Sequence, residues 1–185
     1  IALPSPFVLQ DGGQLINAHV HSESYGTLNT ARDNAILIFT GLSASAHARS
    51  HEANPTKGWW EAMIGPKLAF DTDQFCIIVV NSLGGCFGST GPGSVNPSTG
   101  QIYAFDFPTL RLEDVARASQ AAIEALGIRS LHASVGTSLG GMTVMAHAAL
   151  FPKVCRSIIS ISGALQATTY AVATRSLQRE IIGTA

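Results

Sequence analysis

Gly136-Thr137-Ser138-Leu139-Gly140 is the segment of this chain whose residue types and spacing can do covalent chemistry. An apolar run at 131–135 leads into it, and an apolar helical pattern follows from Met142. A serine on a tight strand-to-helix turn takes a strained backbone conformation, and side chains two positions to either side would collide, so Gly136 and Gly140 flank it. The turn lifts the Ser138 hydroxyl clear of the sheet. It also sets that hydroxyl at a helix N-terminus, where unpaired N–H groups and the positive end of the dipole favour developing negative charge. The bland alternative is a serine that merely caps a helix. With a strand before it and a helix after it, Ser138 is expected to be a nucleophile.

A serine hydroxyl is a poor nucleophile near neutral pH and needs a base within hydrogen-bond reach, itself oriented by a carboxylate. In the chain order of hydrolases built on this turn, both follow the serine. Downstream of Ser138 there is one histidine, His147, one glutamate, Glu180, and no aspartate. His147 lies nine residues along the helix, about 13 Å from Ser138 at about 1.5 Å per residue, so it reads as an ordinary helix-face histidine. Upstream, His19 and His21 share one face of an extended segment and read as solvated. His47 and His51 are four apart, a spacing that permits metal ligation on a helix, yet no third ligand suggests itself. His132 reads as a packed strand residue. No metal site is expected.

Acyl transfer also requires an oxyanion hole, two N–H groups aimed at the tetrahedral oxygen. The Leu139 amide follows from the turn itself. The second belongs to the loop after the first parallel strand, at Phe39-Thr40-Gly41-Leu42, and the Phe39 amide is favoured by position.

The elements that must position these groups are legible as four short apolar runs, at 35–40, 76–81, 131–136 and 157–162, with the look of buried parallel strands. Residues 15–22 alternate apolar and polar like an edge hairpin, with Asp11-Gly12-Gly13 as its turn. Helical spacing predicts a helix over 112–126 with Gly127 as C-cap, a shorter one over 58–64, and one over 142–151 stopped by Pro152. A hairpin followed by β-α-β-α-β-α-β implies an α/β fold with a mainly parallel sheet and helices on both faces. The Gly, Ser, Thr and Pro-rich stretch 84–100 follows a strand's carboxyl end, where such sheets hold their sites.

The 185 residues are 46% hydrophobic and 12% charged, enough for a substantial core and the size of one domain. A net charge of −1 with scattered Lys and Arg gives no footprint for nucleic acid or an anionic membrane, and no run is long enough to span a bilayer. Cys76, Cys86 and Cys155 lack metal-ligand spacing and read as reduced thiols of a cytoplasmic protein. Cys76 and Cys155 lie in apolar runs, as core residues do. The chain starts at Ile1 without a signal-peptide pattern, so its true start is expected to lie elsewhere.

Several motifs together resemble the homoserine O-acyltransferases of the α/β-hydrolase superfamily. They are Ser24-Tyr25-Gly26-Thr27-Leu28-Asn29, Thr40-Gly41, Gly58-Trp59-Trp60-Glu61-Ala62-Met63-Ile64-Gly65-Pro66, Ala69-Phe70-Asp71-Thr72-Asp73, Asn81-Ser82-Leu83-Gly84-Gly85-Cys86, Gly88-Ser89-Thr90-Gly91-Pro92, Asn96-Pro97 and Gly136 to Met142. The resemblance implies an α/β-hydrolase fold and a ping-pong reaction with no bound cofactor. Ser138 would take an acyl group from an acyl-CoA co-substrate and pass it to an amino-acid hydroxyl, in methionine or cysteine biosynthesis. It also implies that Thr40 lines the amino-acid pocket and that the Phe39 and Leu139 amides form the oxyanion hole. The run Gly41-Leu42-Ser43-Ala44-Ser45-Ala46-His47, Ser162-Gly163-Ala164 and residues 175–180 look more like the succinyl-CoA branch than the acetyl-CoA branch. Homoserine and serine differ by one methylene, worth only about 1–3 kcal/mol of discrimination, so the resemblance leaves the acceptor open between the two.

Members of that family are about twice this long. By resemblance the chain is the N-terminal part of one catalytic domain, with the helical lid, the triad aspartate and the triad histidine outside it, and the complete enzyme is a homodimer. An isolated 185-residue piece would expose a sheet edge and helix faces and should be inactive and poorly stable alone. Two other readings share the elbow: a serine esterase, in which water accepts the acyl group, and a catalytically silent α/β domain that binds a partner.

Overall fold

The computed structural model describes residues 1–184. Two short strands, β1 (Phe7–Val8) and β2 (Gln14–Leu15), pair antiparallel around the expected Asp11-Gly12-Gly13 turn. The hairpin is shorter than its alternating pattern: residues 16–21 lead on with Ala18 and Val20 buried and His19 and His21 exposed. Then come β3 (Ser22–Tyr25), β4 (Ala35–Phe39), β5 (Ile64–Gly65), β6 (Phe70–Asp71), β7 (Cys76–Val80), α1 (Leu112–Ala125), β8 (Ala133–Thr137), α2 (Leu139–Leu150), β9 (Ile158–Ile161) and α3 (Thr169–Gly183). The four parallel runs read from the sequence are thus β4, β7, β8 and β9, but β9 is not the buried strand expected: it is the edge strand of its sheet and all four of its residues are exposed.

They form one sheet in the order β3-β7-β4-β8-β9. The β4 strand is parallel to β7 on one side and β8 on the other, β8 is parallel to β9, and β3 closes the β7 edge antiparallel. Every residue of β4 and β7 is buried. Strands covered on both faces have no solvent side to carry polar residues, hence their unbroken apolar runs.

The two faces are covered differently. Leu37, Phe39, Ile78 and Val80 pack with Ala118, Ala122 and Ile123 of α1 and Val144 of α2. Ile36, Ile38, Ile77, Val79 and Val135 pack instead with Tyr25, Ile64 and Phe70, backed by Trp59 and Trp60. The α/β class stands, but the segment between β4 and β7 that covers this second face contains no α-helix. The helix expected over 58–64 is a series of turns running into β5. Seven residues are too few to hold a helix by themselves, and tertiary bonds decide the outcome. The Glu61 carboxylate accepts from the N–H groups of Gly58 (3.0 Å) and Ser50 (2.9 Å) and from the Ser50 hydroxyl (2.6 Å). The Trp59 indole donates to the Ser45 carbonyl at 2.8 Å and stacks on Trp60 at 4.9 Å.

The α1 helix matches its expected span. Its Asp114, fully buried, accepts from the N–H groups of Arg111 (2.9 Å) and Gln10 (2.8 Å), tying the helix start to the β1–β2 turn. Gly127 follows its end at φ +72°. The α3 helix has no buried residue, and Leu177, Ile181 and Ile182 are all more than half exposed. Among the described residues no helix is long and apolar enough to cross a membrane. All three cysteines are free thiols; Cys76 is buried as expected, Cys155 half-buried and Cys86 exposed.

Candidate active site

The connection leaving β4 runs to β7, and the one leaving β8 runs to β9 on the opposite side. Parallel sheets open a crevice beyond the carboxyl ends of strands whose connections diverge in this way. Here those ends are Phe39-Thr40 and Thr137-Ser138, with Phe39 in register with Gly136.

Ser138 sits at the turn between β8 and α2 with φ 54° and ψ −116°. A non-glycine residue in this region is held there by its surroundings at a cost of about 1–3 kcal/mol. Its N–H donates to the Ile161 carbonyl at 2.9 Å, and its carbonyl accepts from Met142 at 3.1 Å. These two bonds fix the turn to β9 and to the first turn of α2. The flanking glycines are required by space. A Cβ on Gly136 would lie 2.0 Å from the Gly140 oxygen, and one on Gly140 would lie 2.2 Å from the Phe39 oxygen.

Ser138 is exposed, and its side chain caps no N–H of α2. That removes the capping role. Among the described residues its hydroxyl makes no hydrogen bond with a base. His147, the one histidine downstream, is fully buried between the helices, with Nε2 3.0 Å from Gln120 Oε1 and its ring against Phe39. Burial pushes its pKa down to about 4. His132 is packed on Phe75 at 4.5 Å, and His19 Nδ1 lies 3.2 Å from the Thr90 hydroxyl.

A cleft of about 320 Å³ opens beside the elbow. Thr40, Leu139 and Thr143 line its elbow side, and Ser82, Gly85 and Phe87 its far side. Thr40 is 2% exposed, so only a narrow part of it reaches the cleft. The far side belongs to the Gly-rich loop expected at this edge. The loop is ordered by specific bonds: the Ser89 hydroxyl donates to the Asn81 carbonyl and accepts from the His21 N–H, both at 3.0 Å, and the Thr90 hydroxyl accepts from the His19 N–H at 3.0 Å. The Asn81 amide donates to the Phe87 carbonyl, while its Oδ1 is buried without a partner. The Leu139 amide lies in the first turn of α2, where N–H groups have no intrahelical partner.

One polar cluster was not visible in the sequence. Glu23 of β3 meets His47 and His51, with its Oε2 3.0 Å from His47 Nδ1 and 3.1 Å from His51 Nε2. The two histidines were paired by spacing, but the carboxylate comes from a strand that only the fold brings alongside. Burial pushes the Glu23 carboxyl up, and the bonds from Tyr25, His47 and His51 outweigh it, leaving the pKa below its ordinary value.

Residues 34–183 match the model of the α/β hydrolase fold family. The chain is 54% identical over 181 residues to the serine O-succinyltransferase of Stenotrophomonas maltophilia (strain K279a), covering 98% of this chain and 49% of that protein. It is 50% identical over 182 residues to the L-serine/homoserine O-acetyltransferase of Streptomyces lavendulae, again with 98% and 49% covered. Among solved structures, esterase E22 superposes with a TM-score of 0.85 at 37% identity, covering 94% of this chain and 50% of that one. The chain thus spans about half the length of the curated relatives it matches.

Proposed function

Because the chain belongs to the α/β hydrolase fold family, we propose that Ser138 carries an acyl group from a coenzyme A thioester to the hydroxyl of serine or homoserine. In the first half-reaction Ser138 Oγ attacks the thioester carbonyl and gives its proton to a base. The tetrahedral oxyanion collapses, expels the coenzyme A thiolate, which takes the proton, and leaves an ester on Ser138. In the second half the amino-acid hydroxyl attacks that ester, loses its proton to the same base, and departs as the O-acyl amino acid while Ser138 regains its proton. The amides of Leu139 and Phe39 stabilise the oxyanion in both halves. Thr40 forms the wall against which the amino acid is placed. The base and its orienting carboxylate come from polypeptide outside the 185 residues. The same reading makes the complete enzyme a homodimer.

The observation that carries this reading is the backbone of Ser138, held at φ 54° and ψ −116° with an exposed hydroxyl that caps nothing. Similarity to a serine O-succinyltransferase favours succinyl-CoA as donor, and similarity to a serine/homoserine O-acetyltransferase keeps acetyl-CoA in play. The product ester activates its carbon toward a sulfur nucleophile, in keeping with methionine or cysteine biosynthesis. The test is the intact mass of the full-length protein after incubation with succinyl-CoA and, separately, acetyl-CoA. A succinyl adduct on the Ser138 peptide, discharged by serine or homoserine and absent from Ser138→Ala, is the expected result. An adduct that persists in Ser138→Ala would remove Ser138 as nucleophile.

Similarity to esterase E22 supports a second reading, in which water discharges the acyl-serine. The two differ in one measurable ratio, O-acyl amino acid against free acid formed per acyl-CoA consumed. Free acid as the sole product in the presence of millimolar serine or homoserine would favour the esterase.

A further inference from the structure

The cluster on the far side of the sheet from α1 and α2 has a bonding pattern that the acyl transfer does not use. Glu23, His47 and His51 are all partly buried, and one donor atom from each lies within 4.8 Å of the other two. The surrounding bonds fix their roles. The carbonyl oxygen of Thr56 lies 2.8 Å from His47 Nε2, and a carbonyl only accepts, so Nε2 carries a proton. His47 Nδ1 then faces the Glu23 carboxylate at 3.0 Å. A bare lone pair aimed at a carboxylate is repulsive, so a cation belongs between them, either a second proton or a metal ion.

The groups around the three side chains hold them in place from behind. A backbone carbonyl on the remote nitrogen sets the tautomer and ring orientation of a ligating imidazole, as Thr56 does for His47. The carboxylate is held in turn: the Tyr25 hydroxyl lies 2.8 Å from Glu23 Oε2, and Tyr25 is itself fixed by accepting from the N–H groups of Ala48 (2.9 Å) and Arg49 (3.1 Å). We propose that Glu23, His47 and His51 form a binding site for a divalent ion of the zinc class, through Glu23 Oε2, His47 Nδ1 and His51 Nε2, with a fourth position for water.

Two imidazoles and one carboxylate are a donor set suited to Zn²⁺. Ligand atoms about 2.0–2.1 Å from a tetrahedral ion stand about 3.3 Å apart. The 3.0 and 3.1 Å separations here need to open by only a few tenths of an ångström. His51, whose side chain is 35% exposed, has room to give it. The ion would not enter the reaction. It would tie β3 to the segment that begins at Gly41, Leu42 and Ala44, which line the cleft, and so brace that wall.

The experiment is titration of the full-length, chelator-stripped protein with Co²⁺, read by its visible d–d absorption, followed by displacement with Zn²⁺. One Co²⁺ per chain with a tetrahedral-type spectrum is expected, weakened at least tenfold in Glu23→Gln and in His51→Ala and unchanged in the His19→Ala/His21→Ala double variant. The partly exposed His51 gives a variant that should fold even if changes at His47 do not. No binding at micromolar metal would mean that a proton alone fills the position and would overturn the proposal. So would binding that survives both ligand variants, or that is lost with His19 and His21 or with the exposed thiol Cys86.

Discussion

The Phe39 carbonyl oxygen stands 2.2 Å from the point where a Cβ on Gly140 would be, so the end of β4 and the first turn of α2 approach as closely as two backbones can. This contact sets how closely the start of α2, and with it the Ser138 turn, packs over the end of β4. Gly140→Ala must therefore displace backbone. Overpacking of this kind typically costs about 1–3 kcal/mol, and we expect at least that loss in urea unfolding of the full-length protein, together with loss of acyl-enzyme formation. Wild-type stability in Gly140→Ala would show that the approach is looser than described.

The strain at Ser138 gives a comparison between two inactive variants. Ser138→Ala keeps a Cβ in an unfavourable region, whereas glycine adopts that region freely and loses only some unfolded-state entropy. Ser138→Gly should be more stable than Ser138→Ala by about 1 kcal/mol, read as a difference in chemical-denaturation midpoints at equal slope. Neither should form the acyl-enzyme. If alanine were the more stable of the two, the elbow would not be strained.

His147 gives the protein a pH dependence of stability. Its pKa is lowered by burial from 6.5 to about 4, so the unfolded chain binds the proton more readily than the folded one. Unfolding therefore takes up a proton between about pH 6.5 and pH 4, and stability falls as pH drops through that window. The contribution is fully present above pH 6.5 and reaches up to about 3 kcal/mol across the window. Substitution by glutamine, which keeps a donor for Gln120, should flatten the slope of unfolding free energy against pH in that range. An unchanged slope in His147→Gln would assign the dependence to other groups.

Much of the fold was legible because the parallel strands leave a continuous apolar trace: β4, β7, β8 and β9 were all readable as runs, although β9, at the sheet edge, is exposed rather than buried. The covering of the second sheet face was not. Spacing at 58–64 suggested a helix, but Glu61 spends its carboxylate on Ser50 and Gly58, and Trp59 anchors to Ser45. Ser50 and Ser45 are 11 and 14 residues away, and Gly58 is close only through a turn that periodicity does not register. The α3 helix was missed for the opposite reason. It has no buried face among the described residues to leave a pattern.

The residue types and spacing of 136–140 by themselves determined the elbow, because a strained turn between strand and helix admits only glycine at the two positions where backbones meet. The sequence also determined that His147 is no base for Ser138, since helical rise alone separates them. Only the tertiary structure decided what lies around that serine. The order β7-β4-β8-β9 brings Phe39-Thr40 beside Ser138 across a register that no local signal encodes. It likewise sets Glu23 of an edge strand against His47 and His51, since side chains 24 and 28 residues apart meet only when separate elements pack.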